Sequence, residues 1–360
     1  MWILQSPHSG DNTQLRALAA ALGWPVEVKR LVYRPHEGVL RLFSLASLKG
    51  VDLARSSPLA PPWPDLVICS GRGAEAVCFW LRRQNPKLRI VFVGSPWSGL
   101  SRFDLVITTP QYRLPGAPNV LHNALPLHDV TPERLAEEAA RQEASVAHLP
   151  RPFTAVLVGG SSGPYLFTQE AARRLGRVAS RIAAARGGSL LVTTSARTGK
   201  AAAEALAAAI SVPHVLYRWQ GPSEDNPFHG FLGLSDEIVV TADSVSMLAE
   251  ACATGRPVHL FDIEEGRFAM RAERGGEAEA LPPIGWRGRN IETTLFRFLI
   301  NHLPARFSRD LRIFHQALTA SGKASWLADD AVPEPRPPRT AEPNAELAQS
   351  VARIRELFGL

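Results

Sequence analysis

A chain of 360 residues, 45% hydrophobic and 21% charged, has room for two domains that each bury a core. An excess of 40 Lys and Arg over 34 Asp and Glu gives a formal charge of +6, which favours anionic partners such as phosphates or an acidic membrane surface. RNP-like and zinc-finger motifs are missing, so nucleic acid is not expected, and no apolar run is long enough to cross a bilayer. The three cysteines, Cys69, Cys78 and Cys252, form neither a disulfide framework nor a zinc pattern, so no metal is expected and a reducing cytoplasm fits.

In chain order, Trp2–Gln5 reads as a strand rather than a signal peptide, because no basic region precedes a long apolar stretch. A helix is predicted from about Thr13 to Leu22, then a strand over Val26–Leu31. Val39–Lys49 is apolar with basic punctuation, and Lys29, Arg30, Arg34 and Arg41 add charge; it reads either as a core helix or as a peripheral membrane contact. Leu66–Cys69 is a strand feeding the glycine turn Ser70–Gly73 and a helix to Arg83, and Arg89–Val93 and Leu105–Thr108 are further strands. A charged helix over Val130–His148 is broken by Leu149-Pro-Arg-Pro152, and the domain boundary is predicted there.

The second half restarts with the buried strand Phe153–Val158, the bend Gly159-Gly160-Ser161-Ser162-Gly163, and a helix from about Thr168 to Arg186. Leu190–Thr194 is a strand, Ser195–Thr198 opens a helix through Ile210, and Val215–Arg218 is a strand. Asn226–Leu234 is a short helical passage, followed by strands at Glu237–Thr241 and Val258–Phe261 with a helix over Val245–Thr254 between them. Strand–helix alternation in both halves predicts α/β domains with doubly wound parallel sheets. A Pro-rich linker over 332–344 precedes an amphipathic helix from about Ala345 to Phe358, whose apolar face carries Leu347, Val351 and Ile354 and is predicted to pack back on the body.

Two bends carry the chemistry. Gly160, Ser161, Ser162 and Gly163 join a strand to a helix, and their small size lets a phosphate approach backbone amides, a plain tight turn being the competing reading; the P-loop ending and the dinucleotide spacing are both absent. Asp243, Ser244, Val245 and Ser246 form a turn at a helix N-terminus, a ready anion site, with Glu250 about one and a half turns further in, where it could meet neutral hydroxyls. Asp243 or Ser244 as a simple N-cap is the competing reading. Both bends follow strands of one sheet, at the edge where open α/β sheets bind ligands. Arg197 follows the next strand and would neutralise a diphosphate, Trp219-Gln220 would border a base, and Asn226 is either a ligand contact or a turn residue. In the first half, His8, Gly10, Asp11 and Asn12 follow the first strand. Asp11 or His8 is a candidate general base, and Asp11 is equally readable as a helix cap. Arg72 in the second glycine turn is a candidate acceptor contact or a surface arginine.

The segments Val158–Tyr165, Ala196–Gly199, Asp225–Phe228 and Val240–Met247 together resemble the mitochondrial-fission, elongated-mitochondria family over nearly the whole chain. The second half is also similar to the donor domain of GT-B glycosyltransferases that add N-acetylglucosamine to the lipid-linked peptidoglycan precursor. Gly159–Gly163 matches their Gly-Gly-Ser-x-Gly turn, and Asp243–Glu250 their diphosphate- and ribose-holding run, with Glu250 at the ribose-binding glutamate. Ser9–Thr13 replaces their glycine-rich acceptor loop, and Asp262–Gly266 stands where their donor-sugar motif would be.

The resemblance implies two Rossmann-like domains facing across a cleft, the GT-B arrangement: residues 1–150 on the acceptor side, 151–331 on the donor side, the linker at 332–344, and a helix over 345–360 returning to the first domain. The implied activity is metal-independent transfer of a sugar from a nucleotide-diphosphate, uridine-linked donor to an envelope or lipid-linked acceptor. It needs no separate cofactor and takes place in the cytoplasm or at the inner face of the membrane. The alternative is a non-catalytic, membrane-peripheral scaffold that keeps nucleotide binding; an epimerase on the same fold is a third reading.

Overall fold

A computed structural model describes residues 1–34, 46–163, 165–221, 225–264, 270, 309–328, 330–340 and 344–360. Within them lie strands β1 (Trp2–Gln5), β2 (Glu27–Arg30), β3 (Leu66–Ser70), β4 (Arg89–Val93), β5 (Leu105–Thr108), β6 (Val120–His122), β7 (Phe153–Leu157), β8 (Ser189–Thr193), β9 (His214–Tyr217), β10 (Glu237–Thr241), β11 (Val258–Phe261) and β12 (Ser325–Trp326). The helices among the described residues are α1 (Ser9–Leu22), α2 (Arg72–Gln84), α3 (Pro132–Val146), α4 (Gln169–Arg186), α5 (Lys200–Ala209), α6 (Phe228–Leu234), α7 (Val245–Ala253), α8 (Leu311–Ala320) and α9 (Ala345–Glu356). The chain divides into two compact units. Met1–Asp129 and Asn344–Leu360 belong to one; the described parts of Val130–Leu303 and Asp310–Pro343 belong to the other.

The first unit holds an all-parallel sheet in the order β2-β1-β3-β4-β5-β6. Its central strands are apolar on both faces, as a sheet covered twice requires. One face packs under α1 and α9 through Leu15, Leu18, Ile68, Val91, Val351 and Ile354; the other packs under α2 through Val67, Val77, Cys78, Phe92 and Phe103. The predicted return of the terminal helix is therefore real: Ile354 is fully buried, and Asn123 Nδ2 donates to Ser350 Oγ at 3.2 Å. Asn344 caps α9 by accepting the Leu347 amide at 3.0 Å and donates to the carbonyl of His128 at 2.8 Å.

The second unit repeats the plan in the order β12-β11-β10-β7-β8-β9, again all parallel. The division falls at Asp129–Val130, ahead of the predicted boundary at 150, because α3 packs on α6. Two glycines of α6 permit that approach: a Cβ on Gly233 would overlap the Leu135 carbonyl, and one on Gly230 the Gln142 side chain. Helix α1 begins at Ser9 rather than Thr13, and α5 at Lys200 rather than near Ser195, with Gly199 as its N-cap at φ 76°. Strands β6 and β12 and helix α8 were not expected from the sequence. Of the apolar segment Val39–Lys49, residues 39–45 lie outside the described residues, as do Pro164, Gly266 and residues 341–343 of the predicted linker. No helix among the described residues is long and apolar enough to cross a membrane.

Each sheet has one point where the winding direction reverses, between β1 and β3 in the first unit and between β7 and β10 in the second. Ligands of open α/β sheets sit beyond the strand ends at such points. The sequence placed its two candidate clusters in these four loops.

Candidate functional site

In the second unit, the loops after β7 and β10 lock together. The Gly159 amide donates to Thr241 Oγ1 at 2.8 Å and the Gly160 amide to Asp243 Oδ2 at 3.0 Å. The Ser161 amide donates to the Arg197 carbonyl at 3.3 Å, and the Ser162 amide to the Tyr165 carbonyl at 3.0 Å. Ser161 Oγ accepts the Phe167 amide at 3.0 Å. The predicted anion nest at this bend is thereby corrected: the amides from Gly159 to Ser162 are occupied within the protein, and Ser161 serves the turn itself. Gly163 takes a left-handed φ of 58° and has open space beside it.

Asp243 sits beneath that bend with its side chain fully buried, 2.7 Å from Arg197 Nη1. Burial pushes its carboxyl above the ordinary range, against the opposing pull of Arg197, the Thr241 hydroxyl and the Gly160 amide. Its Oδ1 is buried without a partner among the described residues. Asp243 therefore organises the bend and presents no surface to a ligand. Two hydroxyls that the sequence reading took only as a helix start complete the clamp: Ser195 Oγ and Thr198 Oγ1 both donate to the Gly159 carbonyl, the latter at 2.7 Å. Their Ser-x-x-Thr spacing after a strand was the available signal.

The start of α7 is the candidate position for an anion. Ser244 is its N-cap residue but makes no side-chain cap bond, so its first-turn amides are not capped. The Ser244 and Ser246 hydroxyls have no hydrogen-bond partner among the described residues. Val245 is buried and faces the core, so only its amide is relevant to a ligand. Arg197, in the loop between β8 and α5, is 38% exposed and reaches over the bend to Asp243, which leaves it the nearby cation.

Glu250 is buried on α7, and its Oε2 lies 3.1 Å from His229 Nε2 on α6. His229 Nδ1 in turn lies 3.4 Å from Arg134 Nη2 on α3. Sequence reasoning missed both partners; a lone His beside Phe228 in a glycine-rich helix gives no pattern. The Trp219 amide donates to Thr194 Oγ1 at 2.9 Å, which leaves its half-buried indole beside exposed Gln220 past the end of β9. Asn226 Oδ1 accepts the Phe228 amide at 3.1 Å, so Asn226 fulfils the turn reading at the start of α6.

In the first unit, Asp11 Oδ2 accepts from Ser6 Oγ at 2.8 Å. Asn12 brackets the Ser6 backbone, accepting its amide and donating to its carbonyl, both at 2.8 Å. Asp11 thus lies inside the first turn of α1 rather than capping it, and the N-cap His8 is exposed with no side-chain cap bond. Gly10 is part of the same turn. Arg72 stacks on Trp97 with its guanidinium carbon 3.8 Å from the ring centroid. Buried Glu75 holds that loop by accepting the Trp97 and Ser98 amides at 2.8 and 2.9 Å. Arg72 is exposed, as the surface reading expects, and is held there by its stacking on Trp97. Among the described residues, no group of three or more His, Cys, Asp or Glu is arranged to hold a metal ion.

Comparison with known proteins places this geometry in context. The chain is 29% identical over 249 residues to the mitochondrial fission protein ELM1 of Arabidopsis thaliana, covering 62% of this chain and 58% of that protein, so it spans just over half of that relative's length. A glycosyltransferase from Rickettsia africae aligns over 99% of this chain and 98% of its own at 10% identity, with a TM-score of 0.48. UDP-GlcNAc 2-epimerase from Methanocaldococcus jannaschii, solved with UDP-GlcNAc and UDP, has the same coverage, identity and TM-score. The sequence model of the family described as mitochondrial fission ELM1 matches residues 9–277, about three quarters of the chain, and the protein belongs to that family.

Proposed function

We propose that the second unit binds a nucleoside diphosphate, uridine-linked in the first instance, and that the protein uses it as the carrier of a sugar to be transferred. The observation that carries this reading is the start of α7: uncapped amides and two unpartnered serine hydroxyls at the sheet's reversal point, with Arg197 alongside. Helix-end amides and a guanidinium supply positive potential without a metal. They would stabilise the charge that builds on a departing diphosphate. Glu250 would accept hydrogen bonds from ribose hydroxyls, and Trp219 would border the base.

On this reading Asp11 is the general base toward an acceptor hydroxyl, because its Oδ1 is left over from the Ser6 bond. Arg72, fixed on Trp97, would hold an anionic or hydroxylated acceptor. An envelope or lipid-linked sugar at a membrane surface suits the net charge of +6.

A second reading is a non-catalytic scaffold that keeps the nucleotide seat. Its support is the closed glycine bend, whose amides stay within the protein. Titration calorimetry with UDP, UDP-sugars and UMP tests the seat: the diphosphates should bind and UMP should bind much more weakly. Equal binding of UMP and UDP, or no binding of any, removes the proposal. Transfer to lipid-linked acceptors that is abolished in Asp11→Ala with UDP affinity unchanged selects the enzyme over the scaffold.

A further inference from the structure

We infer that His229 is a positioning residue that makes the site select ribonucleotides, by fixing the Glu250 carboxylate for the sugar hydroxyls; the inference rests on the nucleotide-binding reading above. The geometry sets the proton on His229. Arginine has only donors, so Nδ1, which faces Arg134 at 3.4 Å, is the acceptor. The neutral ring then carries its hydrogen on Nε2 and donates it to Glu250 Oε2 at 3.1 Å. Glu250 Oε1 has no partner among the described residues.

A free glutamate explores many rotamers; this one is held by a chain of side chains on three helices. The chain is itself anchored, because Gly230, next to His229, lies where any Cβ would overlap α3. His229 occupies Oε2 from behind and leaves Oε1, together with the second lone pair of Oε2, for donors. An ionised carboxylate only accepts, so it rewards hydroxyls and offers nothing to a deoxy position. A phosphate would be repelled there, so the diphosphate keeps to the start of α7 and the sugar falls to Glu250. Discrimination by a buried polar group arises because the analogue lacking the hydroxyl leaves the carboxylate unpaired.

The test is calorimetry of the full chain with UDP and 2′-deoxy-UDP. Wild type should prefer UDP by about tenfold or more, the scale of one hydrogen bond to a charged group. His229→Ala should bring the two affinities within about twofold. His229→Gln should restore the preference, because its amide offers an N–H to Glu250 and a carbonyl to Arg134; a merely structural role would weaken both ligands equally and leave the ratio alone. 15N NMR of the wild-type histidines, assigned through His229→Gln, should show the Nε2–H tautomer and needs no alanine variant to fold. An unchanged preference in His229→Ala, or an Nδ1–H tautomer, overturns the inference. Wild type that binds UDP without preferring ribose overturns it and leaves the nucleotide seat standing, whereas wild type that binds neither ligand overturns both.

Discussion

Asp243 Oδ2 lies 2.7 Å from Arg197 Nη1 and also accepts the Gly160 amide, so one buried carboxylate ties the loops after β7, β8 and β10 into a single body. Gly159 makes room for it, since a Cβ there would overlap the carboxylate. The proposed diphosphate seat would thus rest on a buried floor that the ligand does not touch. This arrangement separates the roles of the acidic residue and the serines that follow it.

The first prediction concerns that pair. Burial raises the Asp243 carboxyl on folding, so between the ordinary aspartate value of about 4 and the raised native value the folded state binds more protons than the unfolded one. Stability from this group therefore falls as pH climbs through that window. Removing Arg197 takes away the main opposing charge, lifts the native carboxyl further and extends the fall. Arg197→Ala should lose about 2 kcal/mol at neutral pH, less than the roughly 3–5 of a fully buried pair because the guanidinium reaches solvent, and little near pH 4. Urea unfolding across pH checks it; a loss that does not vary with pH would show that the pair is not held by charge.

A second prediction separates two glycines of one bend. Gly160 has φ 146°, and a Cβ on it would overlap the Arg197 carbonyl. Backbone cannot swing aside as a side chain can, so Gly160→Ala should cost about 3 kcal/mol or more and expose the Asp243 layer. Gly163 has φ 58° and nothing within 4 Å, so Gly163→Ala should cost only about 1 kcal/mol. Equal thermal shifts in the two variants would contradict the close packing of the loops.

How far the sequence carries depends on whether a feature is local. Runs such as Phe153–Leu157 and Glu237–Thr241 are buried on both faces and are legible as parallel strands. The apolar spacing of Val351 and Ile354 is legible as a returning helix, and both residues are buried against the first sheet. Helix α8 carries a legible signal: Leu311, Phe314, His315 and Leu318 follow the 3.6 period behind Asp310, whose side chain accepts the Arg312 amide at 3.1 Å. The occupied amides of Gly159, Gly160 and Ser161 were not legible, because their partners Thr241, Asp243 and Arg197 lie 36 or more residues away, and hydrogen bonds at that range leave no spacing to read. The His229 contact was hidden for the same reason.

The third prediction concerns the opposite edge of the second sheet. Glu237 Oε1 accepts from Thr154 Oγ1 at 3.3 Å and lies 3.4 Å from Arg186 Nε, while Oε2 lies 3.4 Å from His259 Nε2. Burial alone would raise this carboxyl, but His259, Arg186 and Thr154 together hold it below the ordinary range. The sign is opposite to that of Asp243: the stability is present above the ordinary glutamate value of about 4.3 and is lost as pH falls through the lowered native value. Glu237→Gln should therefore lose about 1–2 kcal/mol at pH 7 and approach wild type in acid. Thermal midpoints of the two proteins that run parallel from neutral pH down to the acid limit would refute it.

The fourth prediction tests the return of α9. Ile354 is fully buried among Leu15, Leu18 and Leu121, whereas Leu347 is only partly buried at the margin of the same cluster. Truncating a fully buried isoleucine removes both its transfer energy and its packing partners, so Ile354→Ala should cost about 3 kcal/mol, against about 1 kcal/mol for Leu347→Ala. The location of the effect is as informative as its size. Because Val351 and Ile354 complete the core under α1, Ile354→Ala should speed hydrogen exchange in α1, β3 and α9 while leaving β7, β8 and β10 at wild-type protection. If instead the strands of the second sheet lost protection first, α9 would be contributing to the wrong core, and its assignment to the first unit would fail.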